Sequence, residues 1–292
     1  MKITKVEALQ KIANRIRMDI ITEIYYGKSG HPGGSLSIAD ILAVLYFNEM
    51  NINPDMPEDA SRDRLVLSKG HASAALYAAL AEKGYISKDE LLTFRNINSN
   101  LQGHPDMNKI KGVDMTTGSL GQGLSVANGM ALASKMDSMG YRVYCIIGDG
   151  ELDEGQIWEA AMTSSKYNLD NLCAIVDCNG LQLTGKTEEI KGINSEDIEQ
   201  KFRSFGFNTI SINGNDIFSI INAFGVAHMT KGKPSVIIAK TVKGKGISFM
   251  EGNVAWHGKA LNDEEYKLAL EELIEKEKQI DKEMEGDNQW IW

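Results

Sequence analysis

The sequence is poor in cysteine, in proline and in long apolar runs. Its three cysteines, among 292 residues, all fall on or beside predicted buried strands, so we expect free thiols in a reducing compartment and no disulfide scaffold. No apolar run approaches the ~18 residues of a membrane span. The first residues lack the apolar core of a signal peptide. These absences favour a cytoplasmic protein that does not enter the membrane.

Clusters of basic charge are also missing. The net charge is −9 and no block of lysine or arginine stands out, which argues against nucleic acid as a partner. There is no repeat, low-complexity segment or linker, and 42% of the residues are hydrophobic, so the sequence predicts one domain over residues 1–292 that ends in a charged helical tail, residues 262–285. The final residues, Trp290-Ile291-Trp292, are expected to dock onto this domain or onto a partner.

Apolar runs rich in β-branched residues alternate with helical patterns along the chain. The predicted strands are residues 65–67, 143–147, 172–176, 208–212 and 235–239. The predicted helices are residues 6–26, 37–48, 72–83, 124–136, 154–167, 196–205 and 217–230. This rhythm predicts an α/β fold of three layers with a doubly wound, mostly parallel sheet. Residues 185–194 are predicted to form a long polar loop.

Two predicted strands end in candidate metal ligands. Gly148-Asp149-Gly150 follows one strand, and Asn179 follows the next, with 28 residues (151 to 178) between Gly150 and Asn179. The carboxyl ends of parallel strands meet at one edge of a sheet, where open α/β folds bind ligands. Carboxylate and amide oxygens suit Mg²⁺, which usually keeps phosphate oxygens in its shell. Taken alone, Gly-Asp-Gly is equally typical of a tight turn, but the second strand end favours a magnesium and phosphate site.

Four of the five histidines lie in loops that contain glycine. These four are His31, His71, His104 and His257. A single loop histidine is usually a solvent-exposed residue without a specific role. Four histidines in such loops predict that they converge on one site that handles phosphate or proton transfer. His228 lies inside a helical pattern, where a structural role is expected.

Two further segments are candidate ligand-binding loops. Residues 117–123 contain three glycines and precede a predicted helix, which permits close backbone approach by a flat or charged ligand. Lys240, Lys243 and Lys245 follow a predicted strand. They indicate either a solvated charged loop or a cation beside a diphosphate.

In this order, the motifs resemble those of the N-terminal, diphosphate-binding half of transketolase over almost the full length. The matching segments are Ser29-Gly30-His31-Pro32-Gly33, Ser68-Lys69-Gly70-His71, Gln102-Gly103-His104-Pro105, Thr117-Gly118-Ser119-Leu120-Gly121-Gln122-Gly123, Gly148-Asp149-Gly150, Asp177-Cys178-Asn179, Lys240-Thr241-Val242-Lys243-Gly244 and Trp256-His257-Gly258. The family pattern usually ends Asn-Asn where this sequence has Cys178-Asn179. That departure keeps the expected ligand Asn179.

The resemblance implies a role for each matching residue. Mg²⁺ would be held by Asp149, Asn179 and the carbonyl of Leu181. Thiamine diphosphate would be lined by Gly34, His71, Gly118, Ser119, Leu120, Gly150, Lys243 and His257. Three histidines would face the ketose donor as catalytic residues, namely His31, His104 and His257. Glu154 matches a glutamate that lies at the subunit interface of the family.

The implied activity is that of a thiamine diphosphate- and Mg²⁺-dependent transketolase, which moves a two-carbon ketol unit from a ketose phosphate to an aldose phosphate. The family's later domains supply a glutamate for the aminopyrimidine ring and arginines for the substrate phosphate, and the sequence has no counterpart of them. We therefore expect one subunit of a split transketolase. Its partner would be a C-terminal, pyrimidine-binding chain, and two copies of each would form an α2β2 assembly.

Other interpretations remain open at this point. The chain could belong to another thiamine diphosphate enzyme, such as a 2-oxo acid dehydrogenase α subunit, a deoxyxylulose-phosphate synthase fragment or a transketolase-like enzyme with an unusual sugar donor. It could also bind the cofactor without turnover. An NAD-binding domain is disfavoured, because no G-x-G-x-x-G segment follows a strand with an acidic residue about 20 residues later.

Overall fold

A five-stranded parallel sheet forms the centre of the protein in a computed structural model that describes residues 2–192 and 194–287. Its strands are β1 (Arg64–Leu67), β2 (Val143–Gly148), β3 (Leu172–Cys178), β6 (Asn208–Asn213) and β7 (Ser235–Lys240). They lie in the order β1-β2-β3-β7-β6, and every neighbouring pair is parallel. Two short strands, β4 (Leu181–Gln182) and β5 (Gly185–Lys186), form a separate antiparallel hairpin. The predicted docking of Trp290-Ile291-Trp292 concerns residues outside the described ranges.

Helices cover both faces of the sheet. They are α1 (Val6–Gly27), α2 (Pro32–Leu36), α3 (Ala39–Val44), α4 (Ser73–Lys83), α5 (Lys88–Leu91), α6 (Gly123–Met136), α7 (Gly155–Lys166), α8 (Thr187–Lys191), α9 (Ser195–Ser204), α10 (Ile217–Met229) and α11 (Asp263–Asp287). A π-helical turn spans Leu45–Glu49, and 3₁₀ turns span Gly70–Ala72, Gly150–Asp153 and Val254–Trp256.

Alternate residues of the strands pack into two separate hydrophobic cores. In β2, Ile146 joins a core with residues of α1, α3, α4 and α10, whereas Ile147 joins a second core with residues of α6, α7 and α9. Successive strand residues point to opposite faces, so a central parallel strand must be apolar on both. The predicted three-layer α/β fold with its parallel sheet is thereby confirmed.

Two segments differ from the sequence prediction. The predicted loop at 185–194 is wrong in part, because β5 and α8 occupy residues 185–191. The predicted helix at 37–48 is split into α3 and the π-helical turn, and α2 precedes it with Pro32 at its first position. Proline suits that position because its fixed φ is already helical and its missing N–H would have no partner there.

The structure also bears on the predictions about cysteines and membrane-spanning helices. All three cysteines are free, and Cys145 and Cys173 are buried. Over the described ranges, no helix combines the length and the apolar character needed to cross a membrane.

Candidate active site

A cavity of about 360 Å³ lies at the carboxyl edge of the sheet, where loops from distant parts of the chain meet. It is lined by His31, Gly34, Lys69, His71, Gly118, Leu120, Gly148, Asp149, Gly150, Glu151, Asn179, Leu181, Gln182, Leu183, Thr184, Lys243 and His257. A larger groove of about 810 Å³ runs between α1, α11 and the loop after β7, and its walls carry charges of both signs. The smaller cavity is the better candidate site because the loop histidines and strand-end ligands converge there.

The two predicted strand-end ligands lie on adjacent strands, since Gly148 of β2 is paired with Asp177 of β3. The carboxylate of Asp149 accepts hydrogen bonds from the backbone N–H groups of Gly150 (2.8 Å) and Gly180 (2.6 Å). Burial, with a contribution from the nearby charge of Asp177, raises the pKa of Asp149 to about 7. A carboxylate so poorly stabilised by its surroundings would gain from a bound cation.

Lys243 is buried, and its ammonium donates to the carbonyl of Leu181 (2.8 Å) and to Nδ1 of His257 (3.0 Å). Burial, followed by the charge of Lys69, lowers the pKa of Lys243 to about 8. The carbonyl that was predicted as the third metal ligand therefore already faces a positive charge. The same lysine would complement an anion in the cavity.

The three oxygen atoms of Asp149, Asn179 and Leu181 suit a hard cation that keeps other oxygen ligands. Within residues 2–192 and 194–287, no group of three or more His, Cys, Asp or Glu side chains is arranged to hold a metal ion. Besides the Asp149 carboxylate, a cation at this edge would therefore depend on the amide, the backbone carbonyl and oxygens of the bound ligand. That donor set fits Mg²⁺ bound together with a diphosphate.

Three of the predicted histidines meet in the cavity. The ring centroids are 5.2 Å apart for His31 and His71, 5.7 Å for His31 and His257, and 5.5 Å for His71 and His257. Burial, with nearby cationic side chains, lowers their pKa values to about 4 for His31, 2 for His71 and 4 for His257. All three are therefore neutral at pH 7. Nδ1 of His31 is buried with no hydrogen-bond partner among the described residues.

The fourth predicted histidine and Ser119 have different positions. His104 is exposed and stands beside the cavity wall, because a Cβ placed on Gly118 would lie 3.0 Å from its Cγ. Ser119 is also exposed, and neither residue lines the cavity. Glu154, the predicted interface residue, is exposed before α7. The roles of these three residues stay predictions.

Glycines shape the walls of the cavity. Gly118 has a φ of +144°, which side-chain-bearing residues rarely adopt. A Cβ on Gly34 would lie 3.5 Å from both Nε2 of His71 and Nζ of Lys69, so a larger side chain would project into this part of the cavity. A Cβ on Gly150 would approach Gln182 to 2.9 Å. These positions let a ligand lie directly against the backbone.

Three buried charged residues near the cavity had no predicted role: Lys69 and Asp177 lie within the motifs, and Glu151 follows Gly148-Asp149-Gly150. Glu151 is buried and accepts hydrogen bonds from Ser68 and from the N–H groups of Gly121 (2.9 Å) and Gly148 (3.0 Å). It thereby ties the 117–123 loop to the end of β2. A charged residue directly beside a strand-end glycine was the one signal that could have indicated this role.

Comparisons with known proteins show which family the chain belongs to. The model of the family described as "Transketolase, thiamine diphosphate binding domain" matches residues 8–283. The chain is 51% identical over 265 residues to the 6-deoxy-6-sulfo-D-fructose transketolase subunit SqwG of Clostridium sp. (strain MSTE9), covering 91% of this chain and 96% of that one. It is 42% identical over 282 residues to an apulose-4-phosphate transketolase subunit of Phocaeicola vulgatus, covering 97% and 99% of the two chains.

Longer transketolases match over part of their length. The Homo sapiens transketolase is 46% identical over 259 residues, which are 88% of this chain and 40% of that one. The crystal structure of the Campylobacter jejuni transketolase superposes with a TM-score of 0.87 at 38% identity and covers 92% of this chain and 43% of that one. The resemblance inferred from the motifs is confirmed: the chain belongs to the transketolase family, as its N-terminal, thiamine diphosphate-binding domain.

Proposed function

We propose that this chain is the diphosphate-binding subunit of a thiamine diphosphate- and Mg²⁺-dependent transketolase that transfers a two-carbon ketol unit from a ketose to an aldose. The observation that carries the proposal is the meeting of three neutral histidines, one buried lysine and two strand-end oxygen ligands in a single cavity. A transketolase needs this combination, because it must hold a diphosphate and move protons on substrate hydroxyls.

Different residues of the cavity would bind the Mg²⁺ ion and the diphosphate. Asp149, Asn179 and the carbonyl of Leu181 would hold Mg²⁺, with the diphosphate supplying further oxygens. The diphosphate would lie against His71, Lys243 and the walls at Gly34, Gly118, Leu120 and Gly150, and Ser119 would contribute from outside the cavity lining. Thiamine diphosphate, when bound, supplies the stabilisation of a carbanion that the protein's own side chains cannot provide.

The histidines would handle the substrate protons. His31 and His257 face the cavity as neutral imidazoles, each with one donor and one acceptor nitrogen. Because Nδ1 of His257 accepts from Lys243, its proton lies on Nε2, which would donate to a substrate oxygen. Their lowered pKa values arise from burial beside cationic side chains. An anion in the cavity would offset that positive charge and move both pKa values back toward neutrality, where proton transfer is most effective. His104 would contribute from the rim.

A partner chain would complete the site. Two relatives that this chain covers almost end to end are named as transketolase subunits. We therefore propose a C-terminal, pyrimidine-binding partner and an α2β2 assembly with the cofactor at the interface. Residues 1–292 would contribute one domain with a helical tail. The names of the same relatives favour testing 6-deoxy-6-sulfofructose and apulose 4-phosphate as ketol donors beside xylulose 5-phosphate.

A coupled ketol-transfer assay tests this function. The chain is measured alone and mixed with the product of the adjacent reading frame, with thiamine diphosphate, Mg²⁺, ribose 5-phosphate and one donor at a time: xylulose 5-phosphate, 6-deoxy-6-sulfofructose or apulose 4-phosphate. We expect activity only in the mixture, and its loss in Asp149→Asn. Activity of the chain alone would contradict the split-site proposal.

Cofactor binding separates the remaining alternatives. Thiamine diphosphate that binds to the mixture without turnover of any donor would indicate a cofactor-binding subunit or another thiamine chemistry. A mixture that binds no thiamine diphosphate would overturn the assignment of Asp149 and Asn179.

A further inference from the structure

The side chain of Asp177 is a fully buried carboxylate that contacts one of the candidate metal ligands, Asn179. Asp177, at the end of β3, has no exposed surface and accepts hydrogen bonds from four side chains. The donors are the ammonium of Lys69, the hydroxyls of Ser37 (2.7 Å) and Thr241, and the amide nitrogen of Asn179 (2.9 Å). They come from four separate segments, and two of them, Lys69 and Asn179, line the cavity.

The contact with Asn179 determines which way its amide points. The NH₂ group donates to Asp177 Oδ2, while Oδ1 accepts from the backbone N–H of Leu181 (3.1 Å). Because only the nitrogen can donate, the reversed amide would set an oxygen against the carboxylate of Asp177. The oxygen is thus held on the side of Leu181, whose carbonyl faces the same cavity.

A carboxylate at position 179 would meet a different environment. Its oxygen would lie about 2.9 Å from Asp177 Oδ2, with no proton between them, if it kept the geometry of the amide. Keeping two carboxylates ionised in one buried site has a high free-energy cost, because their negative charges repel each other. An added negative charge, which on simple electrostatics should strengthen a cation site, is therefore disfavoured at this position.

Lys69 balances the charge of Asp177. Its side chain is almost completely buried, and its ammonium donates to both Asp177 and the carbonyl of Gly34 (2.8 Å). The pair is neutral as a whole, so the negative charge that a cation would balance is that of Asp149, the carboxylate among the three candidate ligands.

We propose that Asp177 is a positioning residue that makes the chain use a carboxamide at position 179, with Lys69 as its counter-charge. The inference rests on the proposed function, since it concerns the oxygen of Asn179 as a cation ligand. It implies that the binding strength of the site depends on a residue that does not touch the cation.

The test compares Asn179→Asp with the triple variant Asn179→Asp/Asp177→Asn/Lys69→Met, hereafter the swap. In the swap, the new amide at 177 can donate to the new carboxylate at 179. Lys69→Met removes the ammonium that would otherwise face this NH₂ group, because Lys69 and Asn179 donate to the same oxygen of Asp177. The swap and Asn179→Asp carry the same net charge. Asn213→Asp is the matched control: Asn213 Oδ1 also accepts from the N–H two residues later (3.0 Å), but the side chain is exposed at the end of β6.

The assay is calorimetric titration of Mg²⁺ into the two-chain protein at saturating thiamine diphosphate, with thermal unfolding of each variant. We expect Asn179→Asp to weaken Mg²⁺ binding at least tenfold, the swap to recover most of that loss, and the control to bind as the wild type does. If Asn179→Asp does not fold, the swap is expected to restore folding as well as binding. Failure of the swap to do so overturns the inference.

Asp149→Asn separates this inference from the proposed function. Loss of Mg²⁺ binding in Asp149→Asn, together with unchanged or tighter binding in Asn179→Asp, would overturn the role of Asp177 and leave the site intact. Unchanged binding in both variants would mean that the cation binds elsewhere, and the proposed function would fail with it.

Discussion

Replacing Lys69 by methionine should destabilise the fold strongly and in a pH-dependent way. Methionine keeps an unbranched apolar stem of similar length but removes the ammonium. Asp177 would stay fully buried with only hydroxyl and amide donors. Breaking a buried ion pair by removing one partner typically costs about 3–5 kcal/mol.

Protonation of Asp177 sets an upper limit on the loss of unfolding free energy in Lys69→Met. Although burial raises the pKa of Asp177, the charge and hydrogen bond of Lys69, with the bonds from Thr241 and Ser37, hold it below its ordinary value. Without Lys69 the carboxyl can become protonated, and protonating an ordinary aspartic acid at pH 7 costs about 4 kcal/mol. At pH 5 the same step costs only about 1.5 kcal/mol.

The variant's Asp177 would therefore have a folded-state pKa above its unfolded value. Such an acid loses stability as the pH rises from the unfolded pKa to the folded one, so we expect the loss to grow from about 1.5 kcal/mol at pH 5 to about 4 kcal/mol at pH 7. That is a large part of the roughly 5–15 kcal/mol that stabilises a typical domain.

Urea unfolding followed by circular dichroism measures this loss at both pH values, as a shift of the midpoint with an unchanged slope. Lys267→Met is the matched control, because Lys267 pairs with Glu271 on the exposed face of α11. Its loss should stay below about 1 kcal/mol. A loss of less than about 1 kcal/mol in Lys69→Met, equal at pH 5 and pH 7, would refute the argument, since it would mean that water reaches Asp177.

Three further predictions concern the cavity. Glu151→Gln places an NH₂ group against a backbone N–H or hydroxyl donor, so urea unfolding should show a loss of about 1–3 kcal/mol. Gly118→Ala should lower thiamine diphosphate affinity, measured by calorimetry, because its φ is +144° and its Cβ would crowd the ring of His104; equal affinity would contradict this geometry. The cavity histidines have folded pKa values below their unfolded ones, so stability should fall as the pH drops below about 6.5, by up to about 1.4 kcal/mol per pH unit for each. His71→Asn should flatten that slope in a pH series of urea midpoints, since the pKa of His71 is lowered to about 2.

The sheet could be predicted from the sequence because buried parallel strands are apolar on both faces. Residues 143–147 and 172–176 were recognised in this way, and β2 and β3 extend only one or two residues further. The β4–β5 hairpin gave no such signal. Its strands have two residues each, and the pairing depends on a local turn and on packing beside the cavity.

The site was predictable where glycine, histidine and acidic residues stand together in loops. His31, His71 and His257 do meet, although 186 positions separate the last two along the chain (257 − 71). The role of Asp177 could not be found in this way, because its partners come from segments far apart in the sequence and its burial is visible only in the folded chain. Sequence patterns indicate which residues can bind a ligand. Buried residues that position those ligands, such as Asp177, are identified only by tertiary packing.

The strand order has a consequence for the synthesis of this protein. Among the described residues, β6 pairs with β7 alone, and β7 lies between β6 and β3, so β6 leaves the ribosome before this neighbour in the sheet exists. The edge of β3 stays open over the same interval, and an unpaired edge invites pairing with other chains. Because His257 completes the cavity wall, a nascent chain cannot form this pocket until most of its length has emerged. A ligand that contacts this wall can therefore bind only after residue 257 has emerged, and the growing chain has unpaired strand edges between the synthesis of β6 and that of β7.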